Sequence, residues 1–231
     1  PWSAATCNDV YFPVERPDLS RSSGIEVAAR KALNAGRLTI DDIRWFDLYS
    51  CFPSAIEMAA EALDLDTLDD RGLTVTGGLP YHGGPGNNYV SHSIVEMVRR
   101  CRRDPTDVGL VTGLGWYSTK HSVGLWSATP PPTGWRLLDT AVEQAQIDSS
   151  RLGVAGVDEA TGCATVDGYT VVYDRDGQPR WTPIIAHLSD GRRVVARSDD
   201  PQIAEAMGGE MYVGKTVCLR NTGSFTGFEL P

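Results

Sequence analysis

Five glycines and two prolines fall within the eleven residues Thr76–Gly86, and the segment runs on through Asn87-Asn88-Tyr89 into an amphipathic stretch, Val90 to Arg103. Glycine and proline at that density are poor material for a helix or a strand. They suit a backbone that takes positive φ values and lets a ligand approach closely. Tyr81 and His82 plant two titratable groups in the loop. The N-terminus of the helix behind them carries free N–H groups and a favourable dipole, the ordinary ingredients of an anion site.

Around this loop the pattern alternates between helix and strand. Ser22 or Ser23 can cap a helix whose inner face is Ile25, Ala28, Ala29, Ala32 and Leu33, with Gly36 ending it. Thr39 opens a short helical turn, Trp45 to Tyr49 reads as a buried strand, and Pro53 stands at the first position of a helix over Ser54–Leu63. A third helix covers about Asn88–Arg103, followed by strands at Asp107–Gly113 and Ser122–Ala128. Such alternation predicts a layered α/β domain over 1–128.

Three consecutive prolines, Pro130 to Pro132, then break the pattern, and 129–160 reads as a linker with a helix over Leu137–Gln146. From Ala164 the grammar is strand and turn. Thr165–Tyr173, Trp181–Leu188, Arg193–Arg197 and Tyr212–Asn221 read as strands, with Pro201–Met207 as a short helix. Asp190-Gly191 between the second and third of these is a strong hairpin signal. A small antiparallel, OB-like β-barrel over 161–231 is expected.

The bulk numbers exclude several classes. A net charge of −9 argues against nucleic acid as a partner, and the barrel stretch 161–231 is itself more acidic than basic. No apolar run reaches the length of a membrane span, and no signal-peptide pattern opens the sequence. The five cysteines, Cys7, Cys51, Cys101, Cys163 and Cys218, have no metal-ligand spacing and read as reduced thiols of a cytoplasmic protein, with no metal site. The glycine loop has neither Walker nor dinucleotide spacing, so no nucleotide cofactor is expected. The opening Pro1-Trp2, without an initiator Met and read as irregular, predicts the later part of a longer protein.

Several motifs carry a family likeness. Residues of about 15–128 resemble the C-terminal half of a thiolase of the sterol-carrier-protein type, through Glu15-Arg16-Pro17-Asp18, the strand Trp45–Leu48, Tyr49-Ser50-Cys51-Phe52 and Gly77-Gly78-Leu79. The barrel from about Ala164 to Leu230 resembles the extra C-terminal barrel of thiolase-like proteins of type 1. Under this resemblance Tyr49 stands where those enzymes place a His or Asn, Gly84 where the Gly-His-Pro histidine belongs, and Leu114, in Gly113-Leu114-Gly115, near the Cys-x-Gly cysteine. Glycine and leucine cannot move a proton, and thiolysis needs a nucleophile, an acid/base and an oxyanion donor. An acetyl-CoA acetyltransferase homologue of lipid metabolism with a degenerate site is implied. It would bind an acyl-CoA through Gly77, Gly78, Gly83, Gly84, Asn87 and Asn88, hold no tight cofactor, and be unfit for ordinary thiolysis.

The same loop, through Tyr81-His82-Gly83 and Asn87-Asn88, also resembles that of thiolase-fold aldolases, which cleave steroid side-chain CoA thioesters with an OB-fold partner. That reading makes the chain a lyase for a 3-hydroxyacyl-CoA, with Tyr81 as acid/base. A non-catalytic scaffold whose barrel docks a partner enzyme is the third alternative. Tyr49, Cys51, Tyr81 and His82 are the candidate catalytic residues; against them stand a loop tyrosine packed on the sheet, a structural histidine and an unreactive thiol. His92, early in a helix, reads as a surface residue, His121 precedes a strand and shows no partner in the sequence, and His187 reads as structural. Cys101, Cys163 and Cys218 read as packing residues, and the run Arg99, Arg100, Arg102, Arg103 as a solvated helix end. The implied partners are an N-terminal thiolase half and, as the superfamily's habit, a second copy of the chain.

Overall fold

The computed structural model describes residues 1–132 and 134–231, which form two compact units: Pro1–Tyr11 with Ser20–Ser150, and Phe12–Leu19 with Arg151–Pro231. In the first, the chain runs β1 (Ser3–Asn8), α1 (Ser23–Gly36), β2 (Ile43–Asp47), α2 (Pro53–Ala62), α3 (Leu79–His82), α4 (Tyr89–Arg103), β3 (Val108–Gly115), β4 (Lys120–Trp126), β5 (Arg136–Leu138) and α5 (Ala141–Ser149). The sheet order is β2-β3-β4-β1-β5, with β2–β3 and β1–β5 parallel and the other pairs antiparallel.

Alternation along the central strands sends side chains to two cores. Phe46 and Leu110 join Ala5, Val123 and Leu125 under α1 and α2, while Trp45 and Val111 face the other way, onto Met97, Cys101 and Ile94 of α4. The result is a three-layer α/β unit, as the alternating pattern predicts. Gly109 is what lets α4 sit down on β3: a Cβ built there would overlap the Met97 Sδ.

Two local readings are corrected. The N-terminal segment is not irregular, because Ser3 to Asn8 lie inside the sheet with alternate residues buried. Helix α1 ends at Gly36, as expected, and Arg37 after it takes the left-handed conformation at φ 54° and donates its N–H to the carbonyls of Leu33 and Asn34. Residues 136–150 join the first unit. Leu137 opens no helix: Arg136–Leu138 pair with the edge of β1, and Leu138 and Ile147 pack on the core. An unpaired sheet edge is a strong site for such pairing. Helix α5 is then tied down by Gln144, whose amide bonds both the N–H and the C=O of Asn8, and by Lys31–Glu143 at 2.8 Å.

Ser22 caps α1, accepting the Ile25 N–H at 3.2 Å, and also donates to the buried carboxylate of Asp9 at 2.6 Å. His121, expected before the strand and without a partner, lies within β4 and bonds Asp9 through Nε2 at 2.8 Å. Burial alone would raise the Asp9 carboxyl; the bonds from His121, Ser22 and the Gly24 amide outweigh it and hold it below its ordinary range.

The second unit comprises β6 (Gly162–Tyr169), β7 (Val172–Tyr173), β8 (Pro179–His187), β9 (Arg193–Ser198), α6 (Pro201–Gly209), β10 (Thr216–Asn221) and β11 (Thr226–Glu229). The pairings β6-β10-β11-β9-β8-β6 close a five-stranded barrel, antiparallel except for β9–β11. Val166, Ile184, Val194, Val217 and Phe228 fill its interior. The stretch read as one closing strand over Tyr212–Asn221 starts only at Thr216, and β11 is an additional strand. Glu15 and Pro17 belong here too, accepting from Leu152 N and Arg193 Nη2. Among the described residues no helix is long and apolar enough to cross a membrane.

Gly109→Ala should therefore destabilise the chain by about 1–3 kcal/mol, because Met97 is fully buried and has nowhere to retreat. Urea denaturation monitored by tryptophan fluorescence measures this, and an unchanged midpoint would contradict the packing described.

Candidate functional site

Asp47 ends strand β2 fully buried, and a buried carboxylate must be met by donors. It accepts the N–H groups of Val75 at 3.1 Å and Thr76 at 3.0 Å. It also accepts the hydroxyls of Thr76 at 2.8 Å, Tyr89 at 3.2 Å and Ser93 at 2.6 Å. One side chain thus joins the sheet to the entrance of the glycine loop and to the first turns of α4. Thr76 extends the network, its Oγ1 accepting the Gly78 N–H at 3.1 Å and lying 2.7 Å from the Tyr89 hydroxyl.

Gly78 needs its glycine twice over. Its φ is +85°, and an added Cβ would stand 2.7 Å from Ser50 Oγ. That hydroxyl accepts the Leu79 N–H at 3.1 Å, pinning the start of α3 against the segment after β2. The loop is therefore held at its root, from Val75 to Leu79.

The candidate residues divide into two groups. Tyr49 is half-buried, its ring edge-on to Tyr89 at 5.3 Å and its N–H donated to Thr112 Oγ1 at 2.8 Å. Cys51 is half-buried and lines a cleft of about 480 Å³ with Ser50, Phe52, Gly77, Gly78 and Pro80. Tyr81, by contrast, is 86 % exposed, and neither it nor His82 lines this cleft or the two adjoining it. His82 rests its ring 5.1 Å from that of His92. Gly83, Gly84, Asn87 and Asn88 are exposed, with Gly84 beside Leu79. The structure brings Cys51, Gly77 and Gly78 together in one cleft, places Tyr49 against Tyr89 and Thr112 instead, and leaves Tyr81, His82, Gly83, Gly84, Asn87 and Asn88 exposed.

Of the two adjoining clefts, one of about 240 Å³ lies between Cys51, Phe52, Leu114, Trp116 and Tyr117; another of about 460 Å³ runs past Leu114 to His121 and Lys120. Leu114 lines both and presents an alkyl side chain to each. Phe52, Trp116 and Tyr117 are exposed around the smaller cleft, and Trp116 sits at φ +63°, an unusual conformation for so bulky a residue.

Burial pushes the Cys51 thiol up from its ordinary value, despite the backbone bond from Phe52. Tyr49 is raised as well, by burial and then by Cys51. Neither is primed as a nucleophile or base at neutral pH. Within the arginine run, Arg100 pairs with Glu96 at 3.2 Å and stacks on Trp45 at 4.6 Å.

Sequence reasoning missed Asp47, Thr76 and Ser93. A usable signal existed, because a carboxylate inside the apolar run Trp45-Phe46-Asp47-Leu48 has to find several donors. Cys163 and Cys218, read as packing residues, are both exposed, since they stand on the outward positions of β6 and β10.

Residues 144–224 match the family described as the thiolase-like protein type 1 additional C-terminal domain. The chain as a whole is similar to a crystal structure of a monomeric SCP2-thiolase like protein type 1 from Mycobacterium smegmatis, at 32 % identity and a TM-score of 0.89. The match covers 99 % of this chain and 50 % of that one, so this chain spans about half the length of its solved relative. No curated protein matches the sequence.

Alkylation of Cys51 by iodoacetamide, followed by peptide mass spectrometry, should rise with pH and remain below half-maximal at pH 9.0, since burial raises the thiol above that value. A plateau already reached by about pH 8, the behaviour of an activated cysteine, would contradict this environment.

Proposed function

We propose, for a chain that belongs to the thiolase-like proteins of type 1 in its fold and its additional C-terminal domain, that it is the acyl-CoA-facing half of a non-thiolytic relative. The observation that carries this reading is the position of Leu114, an alkyl group at the junction of two clefts; Gly84, on the exposed side of the glycine loop, offers no side chain either. Proton transfer by a positioned group contributes about 10²–10⁴-fold to such chemistry. The cleft itself remains: its 480 Å³ is of ligand-binding size, walled by Phe52, Ile56, Leu73 and Pro80 with the Gly77-Gly78 backbone alongside.

An N-terminal thiolase half is the natural partner of this unit, supported by the half-length match and by the exposed Phe52, Trp116 and Tyr117. The solved relative from Mycobacterium smegmatis is monomeric, which favours a single protomer over a homodimer. The lyase alternative draws no support from Tyr81, which is exposed and lines none of the described clefts. The strand order of the barrel, with its one parallel pair and a helix between the third and fourth ring strands, supports an OB-type module. That module leaves the docking of a partner enzyme open as a second role, and a cytoplasmic setting fits the free thiols.

Isothermal titration of the complete protomer with acetyl-CoA and with a long-chain acyl-CoA should give saturable binding, retained in Tyr81→Phe. Acetoacetyl-CoA thiolysis in the same preparation should fall at least about 100-fold below that of a competent thiolase. Absence of binding to either thioester would remove the ligand assignment, and thiolase-like turnover would remove the degenerate-site assignment.

A further inference from the structure

Cys163 and Cys218 are directly opposed partners on the antiparallel strands β6 and β10. Their Sγ atoms lie 4.0 Å apart, and both residues are exposed. The neighbours Ala164 and Val217 are buried in the barrel core, so strand alternation puts both thiols on the outer wall. Cys7 and Cys101 are buried and Cys51 half-buried, so this pair is the accessible thiol chemistry of the described residues.

We infer that Cys163 and Cys218 form a reversible dithiol–disulfide couple whose oxidant is a small-molecule disulfide. Opposed residues on antiparallel strands have Cα atoms about 4.5–5.5 Å apart, inside the range of about 4.4–6.8 Å that a disulfide requires. Side-chain rotation alone closes the remaining sulfur–sulfur gap. The reaction balances in two exchanges. One cysteine thiolate attacks a sulfur of the external disulfide, forming a mixed disulfide and releasing one small thiolate. The second cysteine thiolate attacks the protein sulfur of that mixed disulfide, forming the Cys163–Cys218 bond and releasing the other small thiolate. Two electrons pass from the cysteines to the oxidant, and the two cysteine protons end on the released thiols.

Either sulfur can take the first exchange, because both thiols are exposed and each stands 4.0 Å from the other, ready to resolve the mixed disulfide. The resulting bond closes a loop between residues 55 apart in sequence, tying the first ring strand to the fourth and enclosing β7, β8, β9 and α6. Oxidation should therefore stiffen the barrel by restricting its unfolded chain.

Equilibrating the full chain with a reduced and oxidised glutathione buffer, then measuring intact mass and free thiols, tests this. The wild type should lose two of its five thiols with no retained adduct, and peptide mapping should join Cys163 to Cys218. Cys163→Ser and Cys218→Ser should each hold a stable glutathione adduct, because the resolving thiol is gone; both positions are exposed, so the fold should tolerate serine. The oxidised wild type should melt at a higher temperature than the reduced form, a difference the two variants lose. Retention of all five thiols, or stable adducts on the wild-type pair, would overturn the proposal.

Discussion

The buried carboxylate of Asp47 is the constraint on which the site depends. Nothing in water-free surroundings tolerates that group without donors, and five arrive from three places: the backbone and hydroxyl entering the glycine loop, and the hydroxyls of Tyr89 and Ser93 on α4. Satisfying one side chain thereby sets where the loop leaves the sheet and where the helix begins. Ser50 and Gly78 complete the arrangement, one by accepting an N–H and the other by having no Cβ to obstruct it. The cleft beside Cys51 is bordered by this anchored loop root, through Gly77 and Gly78.

That geometry sets a shaped cleft beside side chains unsuited to proton transfer. The cleft is partly apolar with glycine backbone on one wall, and a Cys51 thiol raised by burial and Leu114 stand at it and next to it. Catalytic groups contribute only when they stand within reach of the reacting atoms and in the needed protonation state. The proposal of an acyl-CoA-facing half unfit for thiolysis rests on that contrast between a shaped cleft and side chains unsuited to proton transfer.

Much of the architecture was legible because it rests on local chemistry. The apolar spacing from Ile25 to Leu33 specifies α1, Pro53 marks the start of α2, and Asp190-Gly191 turns β8 into β9. What escaped depends on distant partners. Ser3–Asn8 is a strand because β4 and β5 flank it, and β11 is a strand because β9 and β10 do. The site shows the same division. The glycines announced a loop, but the side chains that hold it are spread from 47 to 93, and pairing a carboxylate with hydroxyls that far apart requires the fold. Tyr81 is a similar case, since its company in the sequence gave no measure of its exposure.

Amide hydrogen exchange on Asp47→Ala, compared with the wild type, tests the anchoring account most directly. Losing bonds to a charged acceptor should raise exchange across residues 75–89 at least about tenfold, equivalent to ~1.4 kcal/mol of local stability, while α1 keeps its protection. Unchanged protection of 75–89, in a variant that remains folded, would contradict the claim that this carboxylate holds the loop.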